Sequence, residues 1–486
     1  MLNGDVLIDL SRAVKAETTR QALARFAFSV GVVGLLSLVA LGLVVLKDPL
    51  GPTLVIGVAI TATIGLLLLP NPLTATLLAA FLLLLPPGDL RVEGIYTLAA
   101  NFAVVAALGV WLIRVLDGTE TFKWNPTCLL VALYIAWGLV TLLWAPDLVE
   151  SRRKLIAWTF SLILLLLICN QVRSLSAVDR FMRMLALMGW LMILCGAYTV
   201  LFTDFEFVTR LKSFDMNENT LGVMLIVALP GVMWPVLRSV GRRRRSMLAL
   251  AIAYVLCAVS LIALSGSRGG AISVSLLLLT LLFSKSTRKW AFVGVALILC
   301  LFITAPFLFD VLIQRAAEGE DGEFGGRSRL WEASLLFMRD NPLTGAGIGN
   351  GPFGLHPYIA SLTSWENHRL DLPSHQPFLE VGVDTGLVGL IIYFCVIGSA
   401  ILDFARCRSC WLLSPSCPDG YYLVVIGATA AYGATWVKAG GLENHPSLIT
   451  MLALLLIPSL VQEAGHRIAL EGHPGLGLSR RSHDRG

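Results

Sequence analysis

Long uncharged blocks recur along the chain, separated by short polar punctuation. The block at residues 26–46, FAFSVGVVGLLSLVALGLVVL, contains no ionisable side chain. At 1.5 Å per residue, a helix of this kind crosses a hydrocarbon core about 30 Å thick. Such a block must be helical, because lipid offers backbone N–H and C=O groups no partner and a helix satisfies them internally. A membrane β-barrel would require alternating apolar and polar positions, and none is visible. Spans are predicted at 26–46, 54–69, 73–85, 95–113, 128–145, 155–169, 182–202, 220–237, 247–264, 270–283, 291–309, 378–402, 421–437 and 448–461. The total is about fourteen, or about twelve if the short pair around Pro70 and Pro72 forms one re-entrant hairpin. The predicted fold class is all-α, a polytopic transmembrane helical bundle.

Composition agrees. The chain is 56% hydrophobic and 14% charged, whereas a soluble domain carries about 25% charged residues; a water-soluble globule is excluded. The first stretch, residues 1–25, is polar and mildly amphipathic. It lacks a short apolar core followed by a small-residue cleavage site, so no removable signal peptide is expected. Cys128, Cys169, Cys195, Cys257, Cys300 and Cys395 stand singly in apolar blocks and read as small hydrophobes. Cys407, Cys410 and Cys417 cluster more loosely, without the fourth ligand or the spacing of a zinc site. No disulfide framework is implied, and no nucleic-acid partner.

The placement of charge says more than the net +5. Lysine and arginine are retained on the cytoplasmic side of a membrane. With the N-terminus inside, the cytoplasmic loops carry Arg114 and Lys123, then Arg173, Arg180 and Arg183, the arginine run at 242–245, Lys285, Arg288 and Lys289, and Arg406 with Arg408. Arg467, Arg480 and Arg481 follow in the C-terminal tail. The pattern predicts a multi-pass protein of the inner (cytoplasmic) membrane with both termini cytoplasmic. The expected organisation is a cytoplasmic segment at 1–25, a transmembrane bundle at 26–309, one long periplasmic loop at 310–377, C-terminal transmembrane helices at 378–461 and a cytoplasmic tail at 462–486.

A structureless loop of that length is uncommon, so a functional or folded subdomain is expected in it. Within it, RSRLWEASLLFMRDNP clusters Leu330, Trp331, Ala333, Ser334, Leu336 and Phe337 at helical spacing, which predicts an amphipathic helix on or near the membrane surface. The run GAGIGNGPFG follows that helix. A dinucleotide fingerprint should instead follow a strand and open a helix, so the run reads as a flexible or close-packed turn.

Basic residues predicted to face outward are the informative exceptions. They are Arg268 in SGSRGG, Arg327 and Arg329 in GGRSRLW, Arg210 with Lys212, and the trio Arg152, Arg153 and Lys154. An arginine at a membrane boundary marks a site with an anionic partner, and its guanidinium matches phosphate oxygens in pairs. The alternative is snorkelling to lipid phosphates, which is the reading preferred for the trio at 152–154. Glycine-rich turns leave the backbone of Arg268 and Arg327 open to a ligand. His375, in LPSHQPFLE, stands where a helix begins; an imidazole there can accept a proton from a hydroxyl, and a helix N-terminus tends to keep it neutral. His356, His368 and His445 compete for that role, and a bland surface histidine is the other reading.

Four stretches then resemble the O-antigen ligase and polymerase superfamily of bacterial membrane glycan transferases. They are FDMNENTLGVMLIVALP, SGSRGGAISVSLLLL, GRSRLWEASLLFMRDNPLTGAGIGN and SHQPFLEVGVDTGLVGLIIY. They lie in the second half of the chain, in family order; the first half is similar only as a set of spans. The resemblance implies transfer of a glycan from undecaprenyl diphosphate to a hydroxyl acceptor (lipid A–core, another glycan or a protein) on the periplasmic face. It implies that Arg268 and Arg327, with Arg329 and Arg210 nearby, hold the diphosphate, and that His375 activates the acceptor hydroxyl or otherwise assists the transfer. No cofactor and no metal are implied. The family commonly has Asn after this histidine, and Gln376 stands here with the amide retained. A repeat-unit polymerase of the same superfamily is an alternative reading. A transporter or flippase, or a non-catalytic scaffold of a polysaccharide assembly, is another; a transporter would place ionisable residues deep within spans.

Overall fold

The computed structural model describes residues 71–85, 93–203, 205, 210–211, 218–239, 241–283, 287–317, 323–362, 374–413, 418, 420–436 and 446–471. Fifteen α-helices and no strand are found among them: α1 Pro72–Leu84, α2 Glu93–Leu116, α3 Pro126–Thr141, α4 Leu148–Gln171, α5 Leu175–Phe202, α6 Glu218–Arg238, α7 Gly241–Leu264, α8 Arg268–Leu282, α9 Arg288–Thr304, α10 Asp310–Ala317, α11 Glu323–Asp340, α12 Gly351–Leu362, α13 Pro377–Leu413, α14 Gly420–Trp436 and α15 Pro446–Glu471. The predicted spans at 26–46 and 54–69 lie outside the described residues; each later one has a helix. Seven of these helices are long and apolar enough to cross a membrane, or eight if a bent pair counts as one span. The protein is an all-α polytopic bundle.

The chain divides into two compact units, 1–82 with 94–120, and 83–93 with 121–486. In the first, α2 buries Ala100, Ala103, Val104, Ala107, Val110 and Trp111, a stripe at three- and four-residue spacing that makes one helix face. In the second, α6 and α15 are the central helices: their apolar spans are 78% buried, against 28% for that of α13. Gly231 shows how closely α6 meets α5, since a Cβ there would lie 2.5 Å from the Met182 carbonyl oxygen. Small residues at such crossings let membrane helices pack through van der Waals contact, which must replace the hydrophobic effect inside lipid.

Two features depart from uninterrupted spans. The predicted span at 291–309 ends at Thr304, because Pro306 cannot continue the helix. The chain turns there by 108°, and Phe309 packs onto Val259 and Ala263 of α7. Within α13, Gly386 adopts φ 66 and ψ −172, which is not helical. The groups released by this break are recovered: Trp137 Nε1 donates to the Thr385 carbonyl at 2.9 Å and Leu387 N–H to the Pro342 carbonyl at 2.7 Å.

The segment between α9 and α13 is folded, with α10, α11 and α12 along it. The helix expected at RSRLWEASLLFMRDNP is present as part of α11. Its apolar face packs differently from the expectation: Leu330, Ala333 and Phe337 are buried against Leu355 and Ile359 of α12 and Val383 of α13. Protein, rather than a lipid surface, covers that stripe.

Candidate active site

The first group of predicted residues forms around the turn between α7 and α8. Gly266 supplies a left-handed φ of 60, which needs no Cβ, and Ser267 then caps α8 by accepting the Gly270 N–H at 3.1 Å. The Ser267 hydroxyl donates to Asn219 Oδ1 at 2.9 Å, which fastens the turn to the start of α6. Arg210 reaches the same turn: its Nε donates to the Ser265 carbonyl at 3.1 Å, and Leu211 N–H donates to the Leu264 carbonyl. Arg268 is the first residue of α8 and half-buried. Two guanidinium-bearing residues and a helix N-terminus therefore share one turn, which is the chemistry of an anion site.

The second group forms where α11 meets the start of α13. Trp331 Nε1 donates to the Ser374 carbonyl at 3.1 Å, next to His375. Arg327 precedes Trp331 by one helical turn, so the two share a face of α11. Arg327 is half-buried, whereas Arg329 is exposed and belongs to a different face. His375 has φ 54, the one positive-φ residue other than glycine among those described. Histidine tolerates that region better than most side chains, and such outliers gather at working sites. The following residue explains the amide: Gln376 Oε1 accepts the Leu379 N–H at 2.6 Å and so caps α13. Asparagine and glutamine both supply that oxygen.

Of the competing histidines, His356 is exposed on α12, and His368 and His445 lie outside the described residues. At the start of α4, Arg152 is exposed and Arg153 pairs with Glu150 at the surface. Lys212 is outside the described residues.

A third cluster was not anticipated. The GAGIGNG run is a buried, close-packed turn with left-handed glycines at 345, 347 and 349. Asp384 of α13, only 5% exposed, accepts the Gly349 N–H at 2.8 Å and the Gly351 N–H at 2.7 Å on its two oxygens. Asn350 reaches the other way: its Oδ1 accepts the Asp147 N–H at 2.8 Å, and its Nδ2 donates to Ser151 Oγ at 2.7 Å. Ile348 N–H donates to Thr141 Oγ1 at 3.0 Å. The turn thus ties α3 and α4 to α13, only a few residues after His375. A carboxylate inside a predicted span, here with Glu380 four residues before it, was the available signal, because an ionisable residue there needs a partner.

The O-antigen ligase family model matches residues 252–394, from the middle of α7 to the first half of α13. A Rickettsia conorii protein provisionally named as a polysaccharide ligase is 21% identical over 346 residues, covering 68% of this chain and 80% of its own. A chain in the solved structure described as "Structural coordination of polymerization and crosslinking by a peptidoglycan synthase complex" aligns over 71% of this chain and 98% of its own, at 19% identity and a TM-score of 0.40. Arg268, Arg327, Arg329 and His375 all fall within the matched stretch, over which the chain is similar to the O-antigen ligase family.

Proposed function

We propose that this membrane glycan-transferring enzyme moves an oligo- or polysaccharide from undecaprenyl diphosphate to a hydroxyl acceptor on the periplasmic face of the bacterial inner membrane. Arg268 and Arg210, at the capped start of α8, and Arg327, with Arg329 behind it, hold the diphosphate. His375 takes the proton of the acceptor hydroxyl as its oxygen attacks the anomeric carbon. The bond from that carbon to the diphosphate oxygen breaks, and the lipid diphosphate leaves with both bonding electrons. A guanidinium already in place stabilises the charge that develops on this leaving group without reorganising as it forms. Holding donor and acceptor together supplies the remaining advantage.

The observation that carries this reading is the placement of His375. It stands in a left-handed conformation just before the Gln376 cap, fastened by Trp331 to the helix face that carries Arg327. In this reading the two arginine groups face one pocket beside the bilayer, with the donor between them. The reading gives the segment at 310–377 to the periplasm and both termini to the cytoplasm.

The test uses purified protein, lipid-linked glycan and, separately, lipid A–core, a protein acceptor or further lipid-linked repeat units. Arg268→Ala and His375→Ala each lower transfer by about 100-fold or more, as removal of a general base or an electrostatic donor does, with unchanged protein level and melting temperature. Full glycan product from either variant overturns the assignment. Consumption of repeat units alone marks a polymerase. Activity is expected to persist in a chelator.

A further inference from the structure

At the end of the bundle away from Arg268 the structure holds an open, apolar crevice. It lies between α6, α7, α8, α9 and α14, and its wall includes Met233, Leu248, Leu281, Trp290 and Val293. The lining is almost wholly hydrocarbon. The rim is not. Arg242, Arg243, Arg244 and Arg245 are exposed in the first turns of α7, and Arg288 and Lys289 are exposed in the first turn of α9.

Two of these cations stand directly beside the crevice. Arg244 precedes Leu248 by four residues, and Lys289 precedes Val293 by four, so each shares a helix face with a lining residue. Lys289 Nζ lies 5.3 Å from the centroid of the Trp290 ring.

Their position is unfavourable for the helices themselves. A helix N-terminus carries partial positive charge and is stabilised by acidic residues, yet neither α7 nor α9 has one in its first turn. Thr287, at the cap position of α9, makes no side-chain capping bond; its hydroxyl donates to the Leu281 carbonyl at 2.7 Å instead. The N-terminal turns of α7 and α9 therefore both border this crevice, with Arg244 and Lys289 on the faces that line it, where an anion would be favoured.

The geometry points to a binding site for an anionic phospholipid, with its phosphodiester headgroup on the rim and one acyl chain in the crevice. Basic clusters between membrane helices are the general means of recognising such lipids. The crevice is separate from the diphosphate site proposed above. α7 has 24 residues, so its two ends are roughly 36 Å apart at about 1.5 Å per residue; one headgroup cannot occupy both.

The test is native mass spectrometry of the purified full chain after exchange into phosphatidylglycerol or phosphatidylcholine. Wild-type protein retains phosphatidylglycerol at least tenfold more strongly. The double variant Arg288→Gln/Lys289→Gln reduces that preference toward parity. Val293→Trp narrows the crevice and lowers retention while leaving all the charges in place. The wild type gives an independent reading that no folding defect can confound: raising ionic strength from about 0.1 to 1 M, which shortens the screening length from about 10 to 3 Å, releases the lipid. Equal retention of the two lipids, retention unchanged by salt or by the double variant, or recovery of a polyprenyl phosphate in place of phospholipid would each overturn the proposal.

Discussion

Two glycine-rich turns behave oppositely in this protein. In SGSRGG, a Cβ built on Gly269 comes no nearer than 3.8 Å to any neighbouring atom. Gly269 lies in the first turn of α8 in ordinary helical conformation. In GAGIGNG, a Cβ on Gly345 would lie 2.7 Å from the Val383 carbonyl oxygen, and one on Gly347 would lie 2.8 Å from Ala145 Cα; both residues are also left-handed. The first turn has room at Gly269, although a Cβ on Gly270 would lie 2.7 Å from Ile262 Cγ2; it carries a cation and is held from outside by Arg210 and Asn219. The second is locked into the protein by a buried carboxylate. Similar strings of glycine therefore serve presentation in one place and packing in the other, and the neighbours decide which.

The contrast breaks first at Gly386, which closes against the locked turn. Its φ and ψ lie in a region open essentially to glycine alone, and an added Cβ would collide with the Leu343 carbonyl. Gly386→Ala should cost at least about 4 kcal/mol, seen as loss of monodisperse protein on extraction. Asp384→Ala comes next. It leaves the buried amides of Gly349 and Gly351 without their acceptor, which should cost about 3 kcal/mol in a detergent unfolding titration. A variant as stable as wild type would show that the turn is not held by this carboxylate.

A smaller effect is expected where α11 ends. Asp340 accepts from the Tyr358 hydroxyl of α12 at 2.9 Å, and this bond, aided by Arg339, holds its carboxyl below the ordinary carboxylate value. A carboxyl lowered on folding adds stability above its unfolded value and loses it as pH falls through the lowered one. Hydrogen exchange at the α11–α12 junction should therefore accelerate below about pH 4, with Asp340→Asn removing that dependence. The smallest effect belongs to the open turn. Gly269→Ala should change stability by less than about 1 kcal/mol, in the stabilising direction if anything, because alanine is the better helix former.

Much of the architecture was legible in the sequence. Apolar block length located every helix that the structure describes in the predicted spans, although the span read through 309 stops at Thr304, where Pro306 turns the chain. The break in α13 was hidden, because Gly386 sits in a run that reads as continuous hydrophobic span. The helix at Arg327 was legible from spacing, but what its apolar face meets was not: the pattern is the same whether lipid or α12 and α13 cover it. At the site, residue type alone made Arg268, Arg327 and His375 candidates. The hydrogen bond that sets His375 beside the Arg327 face, and the one that brings Arg210 to the Ser265 turn, each join residues tens of positions apart.

The sequence by itself determined that this chain is a helical membrane protein and which few polar residues stand out against its apolar background. Hydrophobicity and charge are local properties, and lipid permits few alternatives to a helix. Tertiary structure alone decided how those residues are grouped, and it alone identified Asp384 and Asn350 as the fastening of the glycine turn. Each of those contacts depends on where distant backbone atoms come to rest, and no run of neighbouring residues contains that information.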